Sequence, residues 1–129
     1  MAAKSIINFL PVRPETFKRK ASIPVAGGKP FEIEFEFYNL TRRQEAKMRD
    51  EVIAAKPATT IGAETTWESI ADTGILQDSS FFLRMVKGWN VDAPLNAASL
   101  DQLLDECRGA GEAINKAFNE GSRGVEAGN

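Results

Sequence analysis

Apolar and polar residues alternate along two neighbouring segments near the start of the chain, 17–23 and 31–37. In the second segment phenylalanine or isoleucine alternates with glutamate without interruption. A period of two is typical of a strand with one buried face. Glycine and proline between residues 24 and 30 supply turn residues. The pattern therefore predicts a β-hairpin.

The register of this hairpin follows from the same pattern. Pairing Ile23 with Phe31 keeps the apolar side chains on one face and sets Lys20 opposite Glu34. A slip of one residue would place the glutamates opposite the apolar set, which would cost the buried face its partners. An isolated hairpin is marginal in water, so we expect helices or another chain to cover the apolar face.

Helical periodicity begins directly after the hairpin. The sequence Thr-Arg-Arg-Gln at 41–44 has the form of a capping box and predicts a first helix from about Arg42 to Lys56. Residues 57–66 lack periodicity and predict a loop. A second box, Thr-Thr-Trp-Glu at 65–68, predicts a short helix that stops near Gly74.

Three further helices are expected in the second half of the chain. Ser79 or Ser80 caps a segment that is apolar nearly all round and is closed by Gly88. Asn96 caps an amphipathic helix with a stripe of leucines, and a last amphipathic helix ends at Gly121.

The predicted fold class is α+β, mainly α, with an N-terminal β-hairpin followed by a bundle of four or five short helices. A length of 129 residues suits one hydrophobic core. We expect a semi-ordered N-terminal arm at 1–16, a single domain at 17–121 and a flexible tail at 122–129. Within the domain, the hairpin occupies 17–38 and the helices occupy 42–121.

Composition removes several classes of function. The chain has no histidine and one cysteine, Cys107, which excludes histidine-dependent triads, histidine-ligated metals, zinc–thiolate clusters and an internal disulfide. The net charge of -2 gives no overall positive field for nucleic acid. Apolar runs of four or five residues are too short for a membrane span of about 20 residues. We therefore expect a protein that is not an enzyme, without cofactor, metal or membrane partner.

Three short motifs suggest chemistry, but each has a structural explanation. Gly-Gly-Lys at 27–29 lacks the first glycine and the hydroxyl of a phosphate loop, so a hairpin turn is favoured. Asp101 and Asp105 lie one helical turn apart without a third ligand, as on the solvated face of a helix. The basic residues in 42–49 are interleaved with acidic ones, which favours a solvated face over RNA contact.

Four segments occur in an order that points to a family. Phe-Glu-Phe-Tyr-Asn-Leu-Thr-Arg-Arg-Gln at 35–44 is followed by an apolar segment ending in Gly-Trp and an acidic turn at 81–95. Leu-Asp-Gln-Leu-Leu-Asp at 100–105 and Ala-Ile-Asn-Lys-Ala-Phe at 113–118 complete the series. In these segments the sequence resembles the tail assembly chaperones of long-tailed bacteriophages.

The resemblance implies a small protein encoded in a phage or prophage tail gene cluster and acting in the bacterial host cytoplasm. It implies that the protein binds the tape measure protein and keeps it soluble until tail tube subunits polymerise around it. The tape measure protein and the tail tube protein are thus the expected partners. The open edges of a hairpin add self-association into a homo-oligomer.

Apolar residues of the segment that precedes the acidic turn are the candidate client contacts: Phe81, Phe82, Met85 and Trp89. Residue by residue, packing in the core is the commoner explanation for them. Trp67 and Trp89 are anchors either of the core or of an interface, since aromatic residues are enriched in both.

Two other functions are consistent with the sequence. A minor structural tail or connector protein would add the edge of the hairpin to a neighbouring sheet. A small nucleic-acid-binding regulator would use the basic residues at 42–49, with a steep dependence of affinity on salt.

Overall fold

A computed structural model describes residues 9–55 and 65–125 of the chain. Strands β1 (Thr16–Ile23) and β2 (Phe31–Tyr38) form the predicted antiparallel hairpin. Ile23 lies opposite Phe31 and Lys20 opposite Glu34, so the predicted register is confirmed. The turn uses the left-handed φ of 74° at Gly27, a conformation that glycine adopts without steric cost. The Gly-Gly-Lys motif is thus part of a hairpin turn.

A third strand, β3 (Val86–Trp89), extends the hairpin and was not predicted. It pairs antiparallel with β2 and gives the sheet the order β1-β2-β3. Val86 lies opposite Phe37 and Gly88 opposite Glu36, with a bulge that leaves one extra residue on β3. The expectation that this segment stays helical up to Gly88 was wrong, because residues 86–89 form hydrogen bonds with the free edge of β2.

Four helices follow or interrupt the strands within the described ranges, in agreement with the predicted α+β, mainly α class. Their bounds are α1 (Arg42–Ala55), α2 (Trp67–Met85), α3 (Ala97–Glu106) and α4 (Ala110–Ser122). The capping box of α1 is confirmed, since the Thr41 hydroxyl accepts from the Gln44 amide and the Gln44 side chain accepts from the Thr41 amide.

The start of α2 corrects the predicted cap by one residue. The hydroxyl of Thr66 accepts from the backbone amide of Ser69 at 3.1 Å, and the Ser69 hydroxyl accepts from the Thr66 amide at 3.0 Å. The reciprocal box therefore belongs to Thr66 and Ser69, and Thr65 lies outside it. Serine performs here the role that the sequence motif assigns to glutamate.

The length of α2 corrects a second prediction, because one helix of 19 residues replaces the two expected helices. Gly74 lies inside the helix and does not end it. Ser79 and Ser80 are not caps, since both hydroxyls donate to the carbonyl oxygen of Leu76, at 3.0 and 2.7 Å. Hydroxyls satisfied within their own helix leave it continuous.

The core lies between one face of the sheet and the helices. Helix α4 packs on β1, and the ring of Phe118 contacts those of Phe37 and Phe17, with centroids 5.4 and 6.1 Å apart. Arg19 on β1 pairs with Glu120 on α4 at 3.2 Å, at the edge of this contact. The largest fully buried side chains are those of Phe35, Phe37, Phe82, Phe118, Ile23, Met85, Leu100 and Ile114.

The predicted arm and tail lie partly outside the described residues, as does most of the predicted loop at 57–66. Within the described part of the arm, the Arg13 guanidinium donates to the carbonyl oxygen of Asn39 at 2.8 Å. The side-chain amide of Asn39 donates in turn to the carbonyl oxygen of Pro14 at 2.9 Å. The end of the arm is therefore held against the end of the hairpin.

Candidate protein-binding site

The structure divides the four candidate client contacts into two pairs. Phe82 and Met85 are 1% and 0% exposed and belong to the core. Phe81 and Trp89 are half-buried and pack against its edge. Direct contact of Phe82 or Met85 with another chain would require the domain to open, so the folded domain offers only Phe81 and Trp89 from this set.

Phe81 lies where α1 meets α2. The guanidinium carbon of Arg49 lies 5.2 Å from the centre of the Phe81 ring, within the range of a cation–π contact. Arg49 also pairs with Glu45 at 3.0 Å, one helical turn earlier. This member of the basic segment 42–49 is thus engaged inside the domain, as its interleaved charges predicted.

Trp89 forms one wall of an open apolar groove. Its ring lies 6.2 Å from that of Phe35, and its indole nitrogen donates to the carbonyl oxygen of Ala93 at 2.9 Å. The groove encloses about 280 Å³, which is below the usual 300–1,000 Å³ of a small-molecule site. Its size suits one or two side chains of a protein partner. The apolar lining includes Phe31, Val91, Leu103 and Cys107.

The far wall of this groove is the apolar stripe of α3. Leu100 is fully buried, while Leu103 and Cys107 are half-buried and pack against the core. Cys107 is a free thiol at the C-terminal cap of α3, as expected for a small packing residue. Asp101 and Asp105 are exposed on the opposite side of the helix, so the amphipathic prediction is confirmed.

The first half of α2 carries a second apolar surface, which the sequence analysis did not locate. Trp67 is 87% exposed and Ile70 is 49% exposed, although both belong to a helix whose other end enters the core. Ala71 is also exposed, and a Cβ atom built on Gly74 would meet no atom of the described residues within 4 Å. These four residues follow the spacing i, i+3, i+4, i+7, which places them on one face of the helix.

The charged side chains that α2 itself carries before Arg84 are all acidic. From Trp67 to Leu83 the helix has three acidic residues, Glu68, Asp72 and Asp78, and no lysine or arginine. All three are exposed. Partial burial nevertheless raises the pKa of the Asp78 carboxyl above its ordinary value, because desolvation penalises its charge.

Metal-binding clusters and membrane-spanning helices were sought in the residues that the structure describes. No group of three cysteine, histidine or acidic side chains there is arranged to hold a metal ion. None of the helices in residues 9–55 and 65–125 is long and apolar enough to cross a membrane. What the described surface presents here is apolar contact area, in the groove beside Trp89 and on the first half of α2.

Comparison with known proteins agrees with the resemblance seen in the sequence. A family model described as phage tail assembly chaperone matches residues 1–129. Searches of curated proteins and of solved structures gave no match. Because the family model spans the chain from its first residue to its last, the chain belongs to the phage tail assembly chaperones.

Proposed function

We propose that this chain binds the tape measure protein of its phage or prophage, keeps it soluble in the bacterial cytoplasm and helps to recruit tail tube subunits. Membership of the tail assembly chaperones supports the general role. The observation that carries the finer role is the groove at Trp89, an open and mostly apolar depression of about 280 Å³. Its proposed occupant is an apolar side chain of a tape measure helix.

The size of this groove favours a weak, repeated contact. An opening of about 280 Å³ accepts one or two side chains, so a single copy buries little client surface. Many copies along one long client would together give a high avidity from modest individual affinities. Such contacts suit a chaperone that must leave when tube subunits arrive, and they require no chemical reaction.

Co-expression tests the proposal directly. The tape measure protein of the same gene cluster is expressed with and without this chain, and its soluble fraction is measured after centrifugation. We expect the chain to raise that fraction and to be retained when the tape measure protein is captured by an affinity tag. An unchanged soluble fraction together with no retention would contradict the proposed function.

The composition of finished particles separates this function from the structural alternative. A chaperone that is displaced by tube subunits is absent from purified tails, whereas a minor tail or connector protein is present in them. A gel-shift assay at low salt addresses the nucleic-acid alternative, for which binding would fall steeply as salt increases. Self-association through the open edge of β1 stays a prediction that sedimentation tests.

A further inference from the structure

We propose that the first half of α2 is a docking face for a basic amphipathic helix of the tape measure protein. The α2 docking face consists of Trp67, Ile70, Ala71 and Gly74. The proposal rests on the proposed function and adds to it a second surface and the chemistry of the partner segment. Three independent features of α2 carry it: the direction of its apolar face, the glycine within that face and the sign of its charges.

The α2 docking face continues the face by which the same helix enters the core. Met85 lies 18 residues after Trp67, which is five turns of an α-helix, so both side chains leave the helix in the same direction. Met85 is fully buried, yet Trp67 is 87% exposed. The same face of α2 is thus buried against the domain at Met85 and exposed at Trp67, where few described residues cover it. A tryptophan so placed is typical of an interface anchor.

Gly74 makes the C-terminal end of this face shallow. Glycine is unfavourable inside a helix, and no described atom lies near the position of a Cβ at Gly74. Folding of the described domain therefore does not require glycine there. A second helix that crosses α2 at Gly74 would approach its backbone closely, and it would contact Ile70 and Trp67 one and two turns earlier on the same face.

The acidic residues of α2 indicate which kind of partner fits the α2 docking face. Glu68 and Asp72 are the charged residues of the first half of α2, Asp78 follows in the second half, and α2 itself has no basic residue before Arg84. A second copy docked through the same face would bring acidic groups against acidic groups, which costs free energy. A helix with an apolar stripe bordered by lysine or arginine fits the face instead. We therefore assign the site to a basic client segment and not to a homodimer.

The central variant is Gly74→Leu, which adds a side chain at a position where a Cβ atom would meet no described atom within 4 Å. The probe is the tape measure protein of the same gene cluster, co-expressed with the full chain. We expect Gly74→Leu to stay folded and at least as resistant to heat as the wild type, because leucine is the better helix former. We expect client retention to fall about tenfold, and Trp67→Ala to have a similar effect.

Leu76→Ala is the matched control. Leu76 is 53% exposed on the same helix, but it lies nine residues after Trp67 and so points from the opposite side. We expect this variant to retain the client like the wild type. Charge is tested separately with Glu68→Lys combined with Asp72→Lys, which should lower retention at low salt and change it little at high salt.

The outcomes separate this inference from the proposed function. If the wild type keeps the client soluble and Gly74→Leu does so equally well, the docking face is refuted while the chaperone function stands. If the wild type has no effect on the client, the function itself fails. If Gly74→Leu instead changes sedimentation from dimer to monomer, the face belongs to a second copy. If removal of residues 1–8 restores client binding to the Gly74→Leu variant, the face belongs to the chain's own N-terminus. Either result overturns the assignment to a client.

Discussion

Two helical glycines should respond in opposite ways to the same substitution. At Gly74 in α2 a Cβ atom would meet no described atom within 4 Å, whereas at Gly121 in α4 it would overlap Cε2 of Phe17. The Phe17 ring cannot move freely, since it packs between those of Phe37 and Phe118, with centroids 5.5 and 6.1 Å away. We therefore predict that Gly74→Ala stabilises the domain and that Gly121→Ala destabilises it.

The size of the difference follows from helix propensity and overpacking. Alanine in place of glycine inside a helix raises the free energy of unfolding by about 0.5–1 kcal/mol, and Gly74→Ala should show most of this gain. Gly121 lies one residue before the end of α4, so its gain is smaller. Displacing a packed ring costs about 1–3 kcal/mol. The two variants should thus differ by about 1–4 kcal/mol.

Urea denaturation followed by circular dichroism measures the difference. We expect the midpoint of Gly74→Ala to lie above that of the wild type and the midpoint of Gly121→Ala to lie below it, with similar slopes. A change of 1 kcal/mol corresponds to about 2–8 °C in Tm for domains near this size. Equal stabilisation of both variants would refute the packing of α4 on β1 described above.

Three further measurements test other parts of the structure. Cys107, the chain's one cysteine, should react about tenfold more slowly with a thiol reagent when the client is bound; an equal rate would argue against the groove as the contact. Thr66→Ala should lower the free energy of unfolding by about 1 kcal/mol, because it removes the cap of α2; no loss would place the cap elsewhere. Burial raises the pKa of Asp78 above 3.8, so its charge is penalised in the folded state at neutral pH. Asp78→Asn should therefore raise the urea midpoint at about pH 7 and leave it unchanged at about pH 3, where the carboxyl is protonated in both states; a uniform shift would assign the effect to another cause.

The hairpin was predictable because its information is local. The period of two fixes which side chains share a face, and the opposition of Lys20 to Glu34 fixes the register. Strand β3 had no such signal, since Val86–Trp89 continues an apolar run and becomes a strand only by pairing with β2, about fifty residues earlier. Its place depends on a long-range partner that the segment itself does not specify.

The sequence indicated only in part which of the apolar residues reach the surface. Phe81, Phe82 and Met85 are close together in an apolar run, and the sequence does not show which of them faces the core. The structure buries Phe82 and Met85 and leaves Phe81 at the edge. The sequence pattern did not reveal the exposed face at Trp67, because Gly74 indicates the end of a helix. Once α2 is continuous, the spacing from Trp67 to Met85 reveals the common face.

The most direct test of the whole account is the soluble fraction of the tape measure protein as a function of the amount of this chain in the same cells. The account predicts that the fraction rises with the amount of wild-type chain and reaches a plateau at many copies per client. It also predicts a much smaller rise with Gly74→Leu, although that variant is folded. A soluble fraction that stays constant over the full range of wild-type expression would contradict the claim that the chain acts by covering apolar client surface.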